Sequence, residues 1–254
     1  MRAVRRPSQL SVWSWPVGPV RLEGEWLVAD LSFPRRFYQP MEQPSPVPDF
    51  AKIASPRDAI EFAERYGMRG AVPLGVREVR EPISEWLREA ERFRRMLRQY
   101  TLLRAAKETP EARSELLEHW WPEVRRELMD SMGELFQELY PSDLSDDRKL
   151  DLISSDLAQS VGAGFERIPL SITALEGFPG TYLYDAEIRS LRVYLYQDLA
   201  RKLVAAEPLR MCADCGRYFT VGDPRQQYCS EACTNRTRRQ RWVRKKKAAA
   251  AVTA

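Results

Sequence analysis

Cysteine is absent from the first 211 residues, and all four cysteines of the 254-residue chain lie between positions 212 and 233. Cysteines that served as small buried hydrophobes would be scattered through a core. Disulfide frameworks are typical of secreted proteins, but no apolar run of the ~7–15 residues that a signal peptide needs follows the basic N-terminus. The clustering therefore predicts a metal site in a cytoplasmic protein whose thiols stay reduced.

Long apolar runs and the common catalytic motifs are also missing from the sequence. No stretch approaches the ~18 apolar residues of a membrane helix, so we expect no membrane partner. Gly162-x-Gly164 is too short for a phosphate loop, and no nucleophile elbow is present. The one histidine, His119, lies beside Trp120-Trp121 in an apolar helical stripe, where a packed core residue is more common than a catalyst. The sequence predicts that the protein is not an enzyme.

Positive charge is concentrated at the C-terminal end of the chain. The chain carries +4 overall, and residues 210–247 hold 11 basic side chains against three acidic ones, a formal charge of +8. The remainder of the chain is therefore at −4. A slightly acidic body with a basic end predicts nucleic acid, or another anionic surface, as the partner.

The body, residues 1–208, is predicted to be mainly helical. Apolar residues recur at steps of three and four over residues 82–107, with Glu and Arg on the other face. Ser55-Pro56 and Thr109-Pro110 both match a capping residue followed by proline at the first helical position. Each of these pairs therefore predicts the start of a helix.

Strands are predicted in two places. Residues 22–33 predict one or two short strands, and residues 165–184 carry alternating apolar residues around a turn at 177–180, which predicts a hairpin. Asp185 is predicted to cap a helix that ends near Pro208, directly before the cysteines. The predicted fold class is therefore α+β, a predominantly α-helical body with a short β-hairpin.

Tryptophan is abundant in the body, and its role bears on the partners. The six indoles are those of Trp13, Trp15, Trp26, Trp86, Trp120 and Trp121. They could fill a helical core or a dimer interface, or they could line an apolar pocket for a small molecule. A homodimer and a small-molecule ligand of the Trp-rich body are both expected as partners on this basis.

The four cysteines have the spacing of a zinc site. Cys212-x2-Cys215 and Cys229-x3-Cys233 are two close pairs with thirteen residues between them. Zinc takes four soft ligands in a tetrahedron, and two close pairs supply them with little loss of loop entropy. Because the protein fills all four positions, the spacing predicts one structural Zn²⁺. The alternative is a set of four buried or redox-active thiols.

The local sequence around the cysteines predicts the shape of the finger. Gly216 suits a tight turn after the first pair, and Ser230 is predicted to cap a helix that carries Cys233. A turn followed by a ligand-bearing helix is typical of a treble-clef-like zinc finger. We place this finger, followed by a basic helix, at residues 209–247, and we expect residues 248–254 to form a disordered tail.

The helix that begins near Ser230 is predicted to continue as a basic segment with eight positive charges and no negative one. The residues predicted to bind nucleic acid are Asn235, Arg236, Arg238, Arg239, Arg241, Arg244, Lys245 and Lys246. At helical spacing, Arg238, Arg241 and Lys245 share one face, with Trp242 beside it. Phosphate binding needs this density of cations, and Arg and Asn side chains can also read base edges. The alternative is a solvated helix that only aids solubility.

The cysteine segment resembles the CGNR-type zinc-finger proteins of bacteria, which are predicted transcription regulators. The similar stretch is CADCGRYFTVGDPRQQYCSEACTNRTRRQRW, about a tenth of the chain. In that family the last ligand opens a Cys-Gly-Asn-Arg motif, and here threonine replaces the glycine in Cys233-Thr234-Asn235-Arg236. The resemblance implies a helical N-terminal domain that senses a ligand or oligomerises, joined to a finger that binds DNA.

The sequence therefore predicts a zinc-dependent DNA-binding protein, a bacterial transcriptional regulator whose main partner is double-stranded DNA. RNA or ribosome binding stays open, because phosphate contacts do not distinguish DNA from RNA. Single-strand readers usually add several exposed aromatics, and the tail offers Trp242 alone. A protein-interaction finger is a further alternative. A single finger reads few bases, so specific binding is expected to need a dimer.

Overall fold

The structure is a computed structural model, which describes residues 15–32, 34, 36–39, 45–72, 76–140, 144–165, 170–174, 182–186 and 190–252. The helices are α1 Val47–Phe50, α2 Pro56–Tyr66, α3 Ile83–Ala105, α4 Pro110–Glu115, α5 Trp121–Met132, α6 Glu134–Leu139, α7 Asp146–Gly162, α8 Leu191–Val204 and α9 Glu231–Val252. The strands are β1 Trp15–Val17, β2 Val20–Glu23, β3 Trp26–Asp30, β4 Arg36–Tyr38, β5 Glu78–Pro82, β6 Leu170–Ala174, β7 Tyr182–Ala186, β8 Leu209–Met211 and β9 Tyr218–Thr220. The prediction of a mixed, mainly helical fold is confirmed.

The strands form small antiparallel sheets. In the first of them, β2 and β3 form a hairpin around Gly24, whose φ of +60° suits glycine, and β5 pairs with the other edge of β3. In a second sheet β1 pairs with β4. The prediction of one or two short strands within residues 22–33 is confirmed by β3 and the end of β2, and β5 joins them from about fifty residues away in sequence.

The helix starts follow the predicted capping residues in part. The Ser55 hydroxyl accepts a hydrogen bond from the Asp58 N–H at 3.3 Å, and α2 ends at Gly67, whose φ is +99°. Helix α4 begins at Pro110 as predicted, but Thr109 does not cap it. The Thr109 hydroxyl donates instead to the Ala105 carbonyl at 3.0 Å, an oxygen at the end of α3 that also accepts from the Glu108 and Thr109 N–H groups.

One π-helical turn, Leu116–Trp120, precedes α5. The Trp121 N–H donates to the Leu116 carbonyl, five residues back, which widens the helix just before Pro122, the residue that has no N–H to donate. On this turn Leu116 and Trp120 are buried, whereas His119 is exposed. The expectation that His119 packs in the core is therefore wrong.

The hairpin predicted within residues 165–184 is present, but the helix after it begins later than predicted. Strands β6 and β7 pair antiparallel, with Asp185 opposite Ser171, and the predicted turn at 177–180 lies outside the described residues. Because Asp185 belongs to β7, it does not cap a helix. Helix α8 starts at Leu191 instead, where the Ser190 hydroxyl accepts from the Val193 N–H at 3.2 Å.

The body's core is built from aromatic side chains of α1, α2, α3 and α8. The Phe50 ring packs edge-on against Phe62 and Phe93, with 5.2 Å between ring centroids in each pair, and Trp86 is fully buried beside them. Trp15 is buried against Tyr38 and Tyr194, and Trp26 is exposed, while Trp13 lies outside the described residues. Trp15 and Trp86 therefore fill the core.

A group of buried charges ties the segment after α2 to β5, α3 and α8. Arg69 is only 8% exposed and forms ion pairs with Glu81 at 3.5 Å, with Glu89 at 3.7 Å and with Glu85. Glu89 also accepts hydrogen bonds from Arg192 and from the Tyr196 hydroxyl, at 3.1 and 2.6 Å. The Arg69 cluster thus holds together four segments that are distant in sequence.

Helix α8 ends in a Schellman motif whose left-handed residue is alanine. The Glu207 N–H donates to the Lys202 carbonyl and the Ala206 N–H to the Leu203 carbonyl, while Ala206 has a φ of +50°. An alanine in this conformation is strained by its Cβ. We therefore expect Ala206→Gly to stabilise the protein by about 0.5–1 kcal/mol in urea unfolding, with Ala205→Gly, at a right-handed position, destabilising it. Equal effects of the two substitutions would contradict this account.

Helix α9 continues to Val252, beyond Lys247, where the sequence predicted a disordered tail. The tail prediction is therefore corrected over residues 248–252, and the physical reason is the run of alanines, the strongest helix former.

Among the described residues, no helix is both long enough and apolar enough to cross a membrane.

Candidate metal centre and basic helix

The four cysteine sulfurs converge on one point. All four Sγ atoms lie within 4.8 Å of one another, and the Cys215–Cys229 and Cys229–Cys233 pairs are both 3.6 Å apart. Four sulfurs at ~2.3 Å from a tetrahedral Zn²⁺ would lie about 3.8 Å apart. The cluster could therefore hold a metal ion.

The elements around the cluster explain why the cysteines meet. Strands β8 and β9 form a hairpin, and the first cysteine pair lies in the loop that joins them, which turns at Gly216 with a φ of +68°. The Gly216 N–H donates to the Cys212 carbonyl at 3.0 Å. Cys233 lies on the first turn of α9, and its N–H donates to the Ser230 hydroxyl at 3.3 Å. The predicted turn at Gly216 and cap at Ser230 are confirmed.

The thiols differ in how readily they ionise. Burial disfavours the Cys212 thiolate, but the N–H groups of Cys215, Cys229 and Asp214 outweigh burial and lower its pKa to about 6. The Ser230 hydroxyl favours the Cys233 thiolate, but burial and hydrogen bonds with Asp214 and neighbouring thiols raise its pKa to about 12. Four thiolates this close together need a cation to offset their repulsion, which a bound metal ion supplies.

Asp214 joins the first cysteine loop to α9. Its carboxylate, whose side chain is 4% exposed, accepts hydrogen bonds from Arg236 at 2.9 Å and from the Thr237 hydroxyl at 3.5 Å. This buried contact fixes the direction in which α9 leaves the cluster. Arg236, which the sequence placed among the nucleic-acid ligands, therefore has an intramolecular partner.

The hairpin that carries the first cysteine pair packs into the core of the body. Leu209 and Tyr218 belong to the same buried cluster as Trp86 and Phe93. At the edge of this contact the Arg217 Nε lies 2.9 Å from an Asp49 carboxylate oxygen, and the Tyr66 hydroxyl donates to the other oxygen at 2.5 Å. The finger is thus docked on the body by apolar and ionic contacts together.

The connection between α8 and the hairpin is also clamped by the body. The Tyr100 hydroxyl donates to the Glu207 carbonyl at 2.8 Å, and the Arg104 guanidinium donates to the Ala206 carbonyl at 2.7 Å. The Thr220 hydroxyl donates to the Glu207 carboxylate at 3.2 Å. Both clamping residues come from α3, so the longest helix of the body holds the start of the finger in place.

The basic side chains of α9 surround the helix and face solvent. Six of the predicted nucleic-acid ligands are exposed without a described ion pair: Asn235, Arg238, Arg239, Arg244, Lys245 and Lys246. Arg241 is exposed and donates to the Tyr228 hydroxyl at 3.4 Å. Trp242 is 62% exposed, and the Lys246 Nζ lies 5.3 Å from the centroid of its ring. The segment therefore presents a dense cationic surface.

The residues that dock the finger could not be predicted from the sequence. Asp49, Tyr66, Tyr100 and Arg104 lie far from the cysteines in sequence, and no motif marks them. The one available signal was the short distance between Pro208 and Cys212, which left no room for a flexible linker. That spacing indicated a close contact without indicating which residues make it.

No protein-family model matches the chain, and neither the curated proteins nor the solved structures with which it was compared include a match.

Proposed function

We propose that the protein is a zinc-dependent DNA-binding protein, in which the metal anchors α9 and α9 binds the double helix. The observation that carries the proposal is the position of the four-sulfur cluster at the base of a helix that presents seven exposed cationic side chains between residues 236 and 246. A helix fits the major groove of DNA, and cations of this density bind phosphates. The buried Asp214–Arg236 contact supports it further, because it fixes the helix's direction.

Zinc is the ion that the ligand set favours. Four thiolates in a tetrahedron suit Zn²⁺ or iron, and two short cysteine pairs on a hairpin and a helix are typical of structural zinc in a treble-clef-like finger. Residues Cys212, Cys215, Cys229 and Cys233 would hold the ion. All four positions are filled by protein, so the ion would stabilise the finger and would not bind substrate.

The regulator part of the proposal depends on the rest of the chain. The finger is docked on a body of about 200 residues, and a single recognition helix contacts few base pairs, so a regulator of this type would bind its site as a dimer. The resemblance to CGNR-type regulators supports the same role. In this proposal the body oligomerises or senses a ligand, and it transmits that state to α9 through the Asp49, Tyr100 and Arg104 contacts.

The direct test is fluorescence anisotropy of the zinc-loaded protein with labelled duplex DNA and with single-stranded RNA, in a salt series and with or without chelator. Binding to duplex DNA that weakens with salt and is lost with chelator is the expected result. Binding that survives chelation would show that α9 binds DNA without the metal. The absence of any binding to duplex DNA would refute the proposal.

RNA is the second candidate partner, and one observation favours it. Trp242 is exposed on α9 between Arg238 and Lys246, an arrangement in which an unpaired base could stack on the indole. Stacking would make Trp242→Ala weaken RNA binding more than duplex binding. A preference of the wild-type protein for single-stranded RNA would select this candidate.

We expect the Arg238 side chain to contact a phosphate or a base of the bound DNA directly. We expect Arg238→Ala to weaken duplex binding and, where it contacts phosphate, to reduce the slope of log K against log salt by about 0.9. The matched control is Arg88→Ala, an exposed arginine of α3 without a described ion pair. A loss no larger than that of the control would show that Arg238 does not touch the nucleic acid.

A further inference from the structure

A polar hollow lies between the first cysteine loop and α9. It has a volume of about 310 Å³, and its walls are Ala213 and Asp214 on one side and Thr237, Gln240, Arg241 and Arg244 on the other. Residues 240, 241 and 244 lie three, four and seven positions after Thr237, so all four lie on one side of the helix, the side that faces the finger. The hollow is thus a concave site on an otherwise convex basic surface.

The two arginines of the hollow are available to a ligand. Among the described residues Arg244 has no acidic partner, and the contact of Arg241 is with the neutral hydroxyl of Tyr228. Asp214, the acidic group of the hollow, already accepts hydrogen bonds from Arg236 and Thr237 and is almost fully buried. The charge that the hollow presents to solvent is therefore positive.

Two guanidinium groups that converge on a concavity suit one kind of ligand. A guanidinium presents a planar fork of N–H donors that matches the oxygens of a phosphate, and Gln240 adds a further amide donor beside them. A single carboxylate would satisfy one fork, whereas a phosphate can accept from both. The ligand class that fits the hollow best is a phosphate or phosphodiester group.

The position of the hollow on the helix also fits a groove-bound α9. Successive residues of a helix are about 100° apart. Going around α9 from the hollow, Arg238, Trp242 and Lys245 therefore come next, and Arg239 and Lys246 lie beyond them. A helix whose central face meets base edges contacts phosphates on both of its flanks. Arg241 and Arg244 would then lie on one phosphate flank, and Arg239 and Lys246 on the other.

We propose that this hollow binds one backbone phosphate of the nucleic acid, with Arg241 and Arg244 as its ligands and Arg236 excluded from the contact by its pairing with Asp214. The proposal deepens the function proposed above and rests on it. It assigns different tasks to basic residues that the sequence treats alike: Arg236 positions the helix, Arg241 and Arg244 hold a phosphate, and Arg238 lies nearest the bases.

The first experiment measures duplex DNA binding by the zinc-loaded full chain carrying Arg241→Gln and Arg244→Gln. We expect the slope of log K against log salt to fall by about 0.9, the value for one lost phosphate contact. The affinity should fall by the same factor on any sequence, because a phosphate contact does not read bases. The control is the Arg88→Gln, Arg125→Gln pair, which removes the same charge from exposed sites on the body.

The second experiment titrates inorganic phosphate into the protein and follows the Arg241 and Arg244 Nε–Hε signals by NMR. Shifts confined to these two side chains would support the phosphate site. If duplex binding fails while these shifts are seen, only the proposed function is refuted, and the ligand of the hollow is free phosphate. If the double variant binds duplex DNA with the same slope of log K against log salt as the control pair, and phosphate causes no shift, the hollow does not bind phosphate. The proposed function would then still stand.

Discussion

Replacing Cys215 with serine is expected to remove the metal and to destabilise the body as well as the finger. Structural zinc contributes an apparent ~10–16 kcal/mol in comparable peptides, so three remaining thiolates should not keep the finger folded. Leu209 and Tyr218 of the finger hairpin are buried in the body's core, and losing a buried aromatic of this size costs about 3–5 kcal/mol. The body should keep its helical circular dichroism at 25 °C but unfold at a lower temperature.

The measurements are zinc content and thermal unfolding followed at a helical wavelength. For a chain of this size, 3–5 kcal/mol corresponds to a fall in Tm of roughly 6–20 °C. Gln227→Ser, at an exposed position in the same segment, is the control and should change neither quantity. Unchanged zinc content would refute the site. Loss of zinc with an unchanged Tm would show that the finger's contacts do not stabilise the body.

The second large effect is expected at Arg69. Replacing Arg69 with methionine leaves Glu81 buried without this counter-ion, while Glu89 keeps its pair with Arg192; breaking a buried pair in this way costs about 3–5 kcal/mol. Arg57→Met, at an exposed pair with Glu61, should cost less than about 1 kcal/mol. Urea unfolding of both variants measures the difference, and equal losses would contradict the assignment of Arg69 as a buried counter-ion.

The same cluster predicts a pH dependence. Burial raises the pKa of Glu81 above its ordinary value of 4.5, even though the Gly70 N–H and Arg69 oppose the rise. A raised pKa means that the folded state holds this proton more tightly than the unfolded state. The stabilisation is therefore present below pH 4.5 and is lost as the pH rises through the folded-state pKa. Glu81→Gln should weaken the dependence of the free energy of unfolding on pH between pH 4.5 and the folded-state pKa. An unaltered pH dependence would refute the raised pKa of Glu81.

Local signals in the sequence predicted the parts of the structure that depend on local chemistry. The cap at Ser55, the turn at Gly216 and the convergence of two cysteine pairs each follow from a few neighbouring residues. The start of α8 was placed wrongly because Asp185 and Ser190 are both good caps, and the choice between them is made by the pairing of Asp185 with Ser171, which extends β7 to Ala186. Propensity cannot show at which residue a paired strand ends.

The same limit applies to the candidate site. The metal ligands and the basic helix could be predicted because their residues lie close together in the sequence. The different contacts that the individual arginines make could not be predicted. Arg236 is set apart from Arg241 only by the buried carboxylate of Asp214, which lies 22 residues earlier in the chain. The contact of Arg217 with Asp49 spans a still longer separation, and neither residue belongs to a motif.

The docking of the finger hairpin has a consequence for how the chain folds as it is synthesised. Leu209 and Tyr218 complete a core that includes residues as early as Trp15, so an apolar surface on the body stays uncovered until residues 209–218 have left the ribosome. Contacts between residues far apart in sequence form late and slow folding. Uptake of the metal ion would then be among the final events of folding, and a newly made chain deprived of it would expose that surface to other chains.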